Sequence, residues 1–176
     1  MSFDDRRIAH HPDKKLLELT RKYYKAFVTH DADTTRAMQA PGYTMTDIPL
    51  CAVRLDRDAW YALNKAFSKV GASEVVTALS LAGSSDPGHI SVMEVITTFE
   101  LAIDAPPGSE EKLPVGAKKG DTVTMVVNTT IFWGEGGKIL KELEYGRLAW
   151  KDFDIGEWDR ADQKERGAMR VLRSKL

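Results

Sequence analysis

Cysteine is nearly absent from this 176-residue chain. With Cys51 alone, an internal disulfide and a cysteine-based zinc site are both excluded. A surplus of one charge is missing too, since 25 Lys and Arg face 26 Asp and Glu for a formal net charge of −1. That balance excludes a phosphate-binding surface driven by bulk charge, which needs a concentrated excess of Lys and Arg, so no nucleic-acid partner is expected. Long hydrophobic runs are also lacking. Val123 to Val127 and Ile131 to Trp133 fall far short of the roughly 20 residues that span a bilayer, and no membrane partner is expected. The opening Met1-Ser2-Phe3-Asp4-Asp5-Arg6-Arg7 has no apolar core and does not read as a secretory signal. His10, His11, His30 and His89 have no ligand partner at a spacing such as His-x-x-x-His, so no metal is expected. What is there is an ordinary globular composition, 43% hydrophobic and 29% charged, and a soluble, cytoplasmic protein is the expectation.

The hydrophobic pattern divides the chain into helices first and strands afterwards. Asp13 is a candidate N-cap for a helix whose Leu16, Leu19 or Thr20, Tyr23 and Phe27 share a face that Leu17, Tyr24 and Val28 widen. The spacing predicts an end near His30-Asp31, then a short helix capped by Asp33 and broken by Pro41-Gly42. Tyr43 to Pro49 reads as a short strand. Asp56 or Asp58 opens a third helix carrying Trp60, Leu63, Ala66, Phe67 and Val70, with Gly71 as a C-cap candidate. From Ser73 the period changes to two: Val75, Thr77, Leu79 and Leu81 alternate with smaller residues, and Met93, Val95, Thr97, Phe99 and Leu101 follow on one strand face. Residues 104–120 read as an exposed loop. A strand over 121–133 and a last strand over 138–150 form the clearest hairpin. Gly134-Glu135-Gly136-Gly137 joins those strands instead of opening a helix, so it is a turn and not a nucleotide cradle. The expected organisation is a flexible lead-in over 1–13, one domain over 14–150 and a polar helical extension over 151–176. The class is α+β, with N-terminal helices packed on a curved antiparallel β-sheet.

Three stretches in this order carry a resemblance: Tyr-Tyr-Lys-Ala-Phe-Val-Thr-His-Asp-Ala-Asp at 23–33, the Thr-Met-Thr-Asp-Ile-Pro strand ending at Pro49, and Gly-Gly-Lys-Ile opening at Gly136. Together they resemble the NTF2-like superfamily and, more narrowly, the SnoaL-like polyketide cyclases and the ketosteroid isomerase group, over roughly residues 14–150. The resemblance implies an NTF2-like cone enclosing one deep, largely apolar pocket, often in a homodimer, and it implies no cofactor. Such a fold hosts isomerases, cyclases, dehydratases, epoxide hydrolases and non-catalytic binding modules, so particular residues must decide.

Asp47 lies in a strand among Tyr43, Met45, Ile48 and Leu50, which sets its carboxylate at an apolar wall. Desolvation there raises the pKa and suits the group to removing a proton next to a carbonyl. The resemblance agrees, because Asp47 matches the catalytic aspartate of ketosteroid isomerase. The other reading is a strand-end cap for the turn at Ile48-Pro49. By the same match Tyr23 stands where that group places its oxyanion donor, with Tyr24 able to take its part; ordinary core packing is the alternative. Thr129 replaces the second acid of the isomerase and is a weaker donor, which counts against a true steroid isomerase. Glu142 and Glu144 share a strand face with Leu140, but parity alone does not say whether that face or the one with Ile139 and Lys141 is inward. Glu144 best matches a pocket acid of SnoaL-like cyclases and related epoxide hydrolases. Two inward glutamates would keep one protonated beside a base.

The face choice that the resemblance suggests adds Val95, Thr97 and Phe99, with Thr129, Ile131 and Trp133, to the lining, and Trp60 and Leu63 from the third helix. That is an apolar, aromatic site for a lipophilic small molecule. The expected function is a cofactor-independent isomerase, cyclase or dehydratase acting on a lipophilic carbonyl compound of polyketide or terpenoid type. Asp47 moves the proton, Glu144 is the second acid or base, and Tyr23 steadies the oxyanion. A non-catalytic ligand-binding or dimerisation module, its pocket filled by core side chains, is the rival.

Overall fold

The structure, a computed structural model, describes residues 2–48, 52–69, 71–105, 113–114 and 116–149. The helices are α1 (Lys14–Val28), α2 (Ala32–Met38) and α3 (Arg57–Phe67). The strands are β1 (Ser2–Asp4), β2 (Gln39–Asp47), β3 (Ala52–Asp56), β4 (Gly71–Gly83), β5 (Ile90–Leu101), β6 (Thr122–Trp133) and β7 (Ile139–Leu148). Among the described residues these strands form one sheet in the order β1-β4-β5-β6-β7-β2-β3. The pairs β1–β4 and β2–β7 are parallel and the others antiparallel. The fold is the expected α+β, NTF2-like one, a mostly antiparallel curved sheet with helices packed on it.

Each helix has a local cause. The Asp13 carboxylate accepts from the Leu16 amide at 2.8 Å, satisfying one of the unpaired N–H groups of α1. Leu16, Leu17, Thr20, Tyr23, Tyr24 and Val28 are then buried at helical spacing against the sheet. Asp31 caps α2, so the cap expected at Asp33 is corrected: Asp31 accepts from the Thr34 amide, and Asp33 lies within the first turn. Asp56 caps α3 through the amides of Asp58 and Ala59. The helix stops at Phe67, so Gly71 is no C-cap and instead opens β4.

Two strands occur where none is expected. The lead-in supplies β1, which pairs with β4 from Ser2↔Val75 to Asp4↔Thr77, and Ile8 behind it joins the core. Ala52–Asp56 folds as β3 against β2. Both are too short to show a clear period of two, and the sheet recruits them by edge pairing. Pro41-Gly42 lies within β2 and does not end α2, which has already finished at Met38. The face read for β4 is also reversed: Glu74, Val76 and Ala78 are buried, whereas Val75 is 40% exposed. On β5 the expected face holds, with Met93, Val95, Thr97, Phe99 and Leu101 all buried. The extension expected over 151–176 and most of the Pro-rich part of the 104–120 loop lie outside the described residues.

The main core joins α1 to the inner sheet through Leu16, Tyr43, Met45, Val76 and Trp133. Trp133 is fully buried, and its indole Nε1 donates to Ser91 Oγ at 2.8 Å. A smaller cluster of Phe99, Leu101, Ala117 and Val123 closes the far end of β5 and β6. The β6–β7 turn passes through Glu135–Gly137 with Gly137 at φ 72°, and a Cβ there would press on Leu19 of α1 at 3.1 Å. Gly83, at φ 102°, ends β4 beside β5. A Cβ on it would overlap the Ile90 carbonyl oxygen and come within 2.8 Å of Ser91 Cα.

Gly83→Ala is therefore expected to destabilise the protein by roughly 2 kcal/mol or more, from backbone strain plus overlap with fixed backbone. Gly42→Ala, whose Cβ meets nothing within 4 Å, is expected to stay within about 0.5 kcal/mol of wild type. Urea unfolding of both variants checks the contrast, and equal effects would contradict it.

Candidate active site

Alternation along β2 turns Tyr43, Met45 and Asp47 inward, where each is at most 1% exposed. The orientation of β7 is settled by an irregularity. Opposite Phe132 and Trp133 of β6 stand Lys141 and Ile139, so Leu140 is an extra residue on β7. This bulge lets Ile139 and Glu142, three positions apart, both face inward, each with no exposure, while Leu140 is 44% exposed. Glu144 follows on the inner face and lines the pocket. The choice that parity leaves open between the two faces is thus made by one inserted residue.

The parallel β2–β7 pair sets Asp47 beside Glu144 and Met45 beside Glu142. The register is held beyond the strand end by the Ile48 amide, which donates to the Glu144 carbonyl oxygen at 3.0 Å. The two glutamates have different partners. Glu142 accepts from Tyr23 Oη at 2.6 Å and from Tyr43 Oη at 2.9 Å. Glu144 Oε2 accepts from Thr129 Oγ1 at 3.1 Å, and Thr129 in turn accepts from Tyr24 Oη at 3.2 Å. Tyr23 and Tyr24, in edge contact at 5.2 Å, thus serve separate carboxyl groups.

Burial dominates the protonation of these groups. Desolvation pushes Glu142 up to about 7 against the opposing effect of its two tyrosine donors, and the neighbouring Asp47 charge adds to the rise. Glu144 is pushed well above the usual carboxylate range by desolvation, then by Asp47 and Glu142. Tyr23, Tyr24 and Tyr43 are raised by burial and by the glutamates they face, so they stay neutral donors. A fourth carboxyl, Glu74 on β4, is 1% exposed and raised to about 7 by desolvation, against a donor bond from Thr97 Oγ1 at 3.1 Å.

The pocket lies between α1, α3 and the inner face of the sheet. Asp47, Glu144, Glu74, Asn64, Thr97 and Thr129 interrupt an apolar wall that includes Tyr23, Tyr24, Trp60, Leu63, Val95 and Phe99. The described lining contains no Lys, Arg or His. Its interior holds about 70 Å³ of free space, and the concavity measured out through its mouth about 710 Å³. Helix α3 is the least firmly anchored wall of the pocket, because Trp60 is its one buried residue.

The structure therefore brings together Asp47, Glu144, Tyr23, Tyr24, Trp60, Leu63, Val95, Thr97, Phe99 and Thr129. It does not bring Ile131 and Trp133 to the pocket: both are core residues on the inner face of β6 nearer the β6–β7 turn. Glu142 sits behind the lining, enclosed by Tyr23 and Tyr43. The Tyr23 hydroxyl hydrogen is already given to Glu142, so Tyr24, through Thr129, is the tyrosine linked to the pocket acid. Tyr43 and Glu74 are the members that the sequence reading does not single out. An acid immediately preceding Val75 and Val76 at the start of a strand is the signal that marks Glu74. Among the described residues no cluster of three or more His, Cys, Asp or Glu is arranged to hold a metal ion. No described helix is long and apolar enough to cross a membrane.

No family profile matches the chain, and no curated protein matches it in sequence. Solved structures share its fold. A candidate SnoaL-like polyketide cyclase from Shewanella denitrificans superposes with a TM-score of 0.59 at 13% identity, covering 76% of this chain and 91% of that one. The candidate polyketide cyclase IdmH from Streptomyces antibioticus gives 0.56 at 14% identity, covering 74% and 90%. AclR, a candidate hydroxylase from Streptomyces galilaeus, gives 0.58 at 10% identity, covering 76% and 89%. These likenesses establish the fold, and the differing names carried on it leave the chemistry to the residues.

A group whose folded pKa is raised contributes stability that is present below its unfolded pKa and lost as pH rises through the folded value. For Glu142 that window runs from about 4.5 to about 7. Stability is expected to fall across it, and Glu142→Gln is expected to flatten the fall. Urea unfolding at a series of pH values checks this, and identical slopes for wild type and variant would contradict it.

Proposed function

We propose that the chain is a cofactor-independent enzyme of the SnoaL-like type that isomerises, cyclises or dehydrates a lipophilic carbonyl compound of polyketide or terpenoid class. The observation that carries this reading is the Asp47–Glu144 pair, held side by side on parallel strands at an apolar pocket. Two carboxyl groups so placed cannot both ionise cheaply, so the pair keeps a proton and supplies an acid beside a base.

In this mechanism Asp47 is the base. It takes a proton from the carbon next to the substrate carbonyl, and the C–H electron pair moves to form the enolate. Glu144, whose proton is retained by burial and by the Asp47 charge, gives it to the enolate oxygen. Because Glu144 Oε2 accepts from Thr129, the proton belongs on Oε1. In each completion the enol O–H proton returns to Glu144 as the carbonyl re-forms. Transfer of the proton from Asp47 to a different carbon completes an isomerisation. Attack of the enol carbon on a second carbonyl of the same molecule completes a cyclisation, the new alkoxide taking up the Asp47 proton. Loss of a hydroxyl from the adjacent carbon as water, with the Asp47 proton, completes a dehydration. The Tyr24–Thr129 chain orients the acid, and the apolar lining keeps water from the enolate. The reading includes the homodimer that the family resemblance implies.

Purified protein screened against enolisable and cyclisable carbonyl compounds is expected to turn over at least one, with exchange of the α-proton in deuterated water. Asp47→Asn is expected to lower kcat by about 10²- to 10⁴-fold, the usual worth of a positioned base. No turnover with any such compound would move the chain to the class of ligand-binding modules, and turnover unaffected by Asp47→Asn would overturn the role of Asp47 as the base.

A further inference from the structure

The proposed chemistry uses one wall of the pocket and leaves Glu74 and Trp60, elsewhere on its lining, with unpaired polar atoms. Glu74 on β4 places its carboxyl in the lining at 1% exposure. Oε1 accepts from Thr97, while Oε2 is buried and has no hydrogen-bond partner among the described residues. From the facing helix α3, Trp60, 4% exposed, also lines the pocket, and its indole Nε1 is a buried donor likewise without a partner. Buried polar atoms are normally satisfied, because an unmet donor or acceptor costs about 1–3 kcal/mol, so two on residues lining one cavity require an explanation.

Trp60 anchors α3 in the core through its ring, but neither its N–H nor the Glu74 Oε2 has a partner in the described part of the fold. Among the described residues Glu74 has no ion pair, and its burial is opposed by one hydroxyl donor, Thr97, and to a lesser degree by the positive charge of the N-terminus. Its charge acts across the cavity on Glu144, adding to that group's hold on its proton. An apolar residue on β4 would avoid all of these costs, since its inward neighbours Val76 and Ala78 are apolar and fully buried. Natural sites keep destabilising groups where a ligand uses them.

We infer that Glu74 and Trp60 form a second polar end of the pocket, which selects and positions a hydroxyl group on the lipophilic ligand. A hydroxyl donates to Glu74 Oε2 and accepts from Trp60 Nε1, so one kind of group meets both unmet requirements. A protonated amine would satisfy Glu74 and leave Trp60 without an acceptor, and a bare hydrocarbon would satisfy neither. The inference rests on the reading of this concavity as a ligand pocket. It assigns Glu74 and Trp60 to specificity and orientation, separate from proton transfer at Asp47 and Glu144. A ligand held at both ends has its reacting carbon fixed relative to Asp47, which is how remote contacts raise a rate.

The test uses three probes with the same ring: phenol, toluene and benzylamine, with affinities measured by ligand-observed NMR at mildly alkaline pH. Phenol is expected to bind wild type about tenfold or more tightly than toluene, as a charge-assisted hydrogen bond allows. Glu74→Leu is expected to fold at least as stably as wild type and to abolish the phenol preference while keeping toluene affinity. Trp60→Phe is expected to reduce the preference. An unchanged preference in Glu74→Leu, benzylamine binding tighter than phenol, or binding of neither phenol nor toluene at millimolar concentration would overturn the inference. A phenol preference that depends on Glu74 in a protein without carbonyl turnover would uphold it while refuting the enzymatic reading, so the two failures are distinguishable.

Discussion

The parallel pairing of β2 with β7 is the constraint on which the site depends. It joins the strand that follows the first two helices to the last described strand of the sheet, and in doing so sets Asp47 beside Glu144. Water would let both carboxyl groups ionise at little cost. At an apolar wall, desolvation and mutual repulsion favour the protonated form, and here the described lining supplies no basic side chain to reverse that balance. The geometry of the backbone thus becomes a statement about protons.

Helix α1 completes the arrangement from the other layer. Tyr23 and Tyr24 are adjacent in sequence, yet they reach Glu142 and Thr129, residues on two different strands. Glu142 is closed off by two phenols and holds the layers together, whereas Glu144, reached through Thr129, stays at the pocket. Two glutamates two residues apart on one strand face consequently have different roles, one in the joint between layers and one in chemistry. Helix α3 is bound differently. Its contacts to α2 run through surface groups such as Tyr61 with Asp33 and Arg36 with Asp58, and it buries Trp60 alone. Exposed pairs of this kind contribute little each, so α3 is the wall whose displacement costs least when a ligand enters.

Much of this organisation is legible before folding. The Asp13 cap and the Leu16-to-Val28 stripe define α1 because capping and helical period are local properties. The inward face of β5 and the β6–β7 hairpin follow from a period of two and a glycine-rich turn. Asp47 is legible as a pocket group because it alternates with Tyr43 and Met45. Local reading stops where pairing partners decide. Strands β1 and β3 exist because a neighbouring strand offers them hydrogen bonds, and β4 turns Glu74 inward where its Val75 and Leu79 suggest the other face.

The sequence by itself determined the α+β class, the first helix and its cap, the hairpin at the end of the sheet, and an acid on the second strand, because each rests on spacing within one segment. Only the tertiary structure decided which of two acids on β7 is enclosed and which faces the cavity. One bulge opposite Trp133 reverses strand parity there, and the partners that distinguish Glu142 from Glu144 arrive from α1, β2 and β6, more distant in the chain than any local pattern can register.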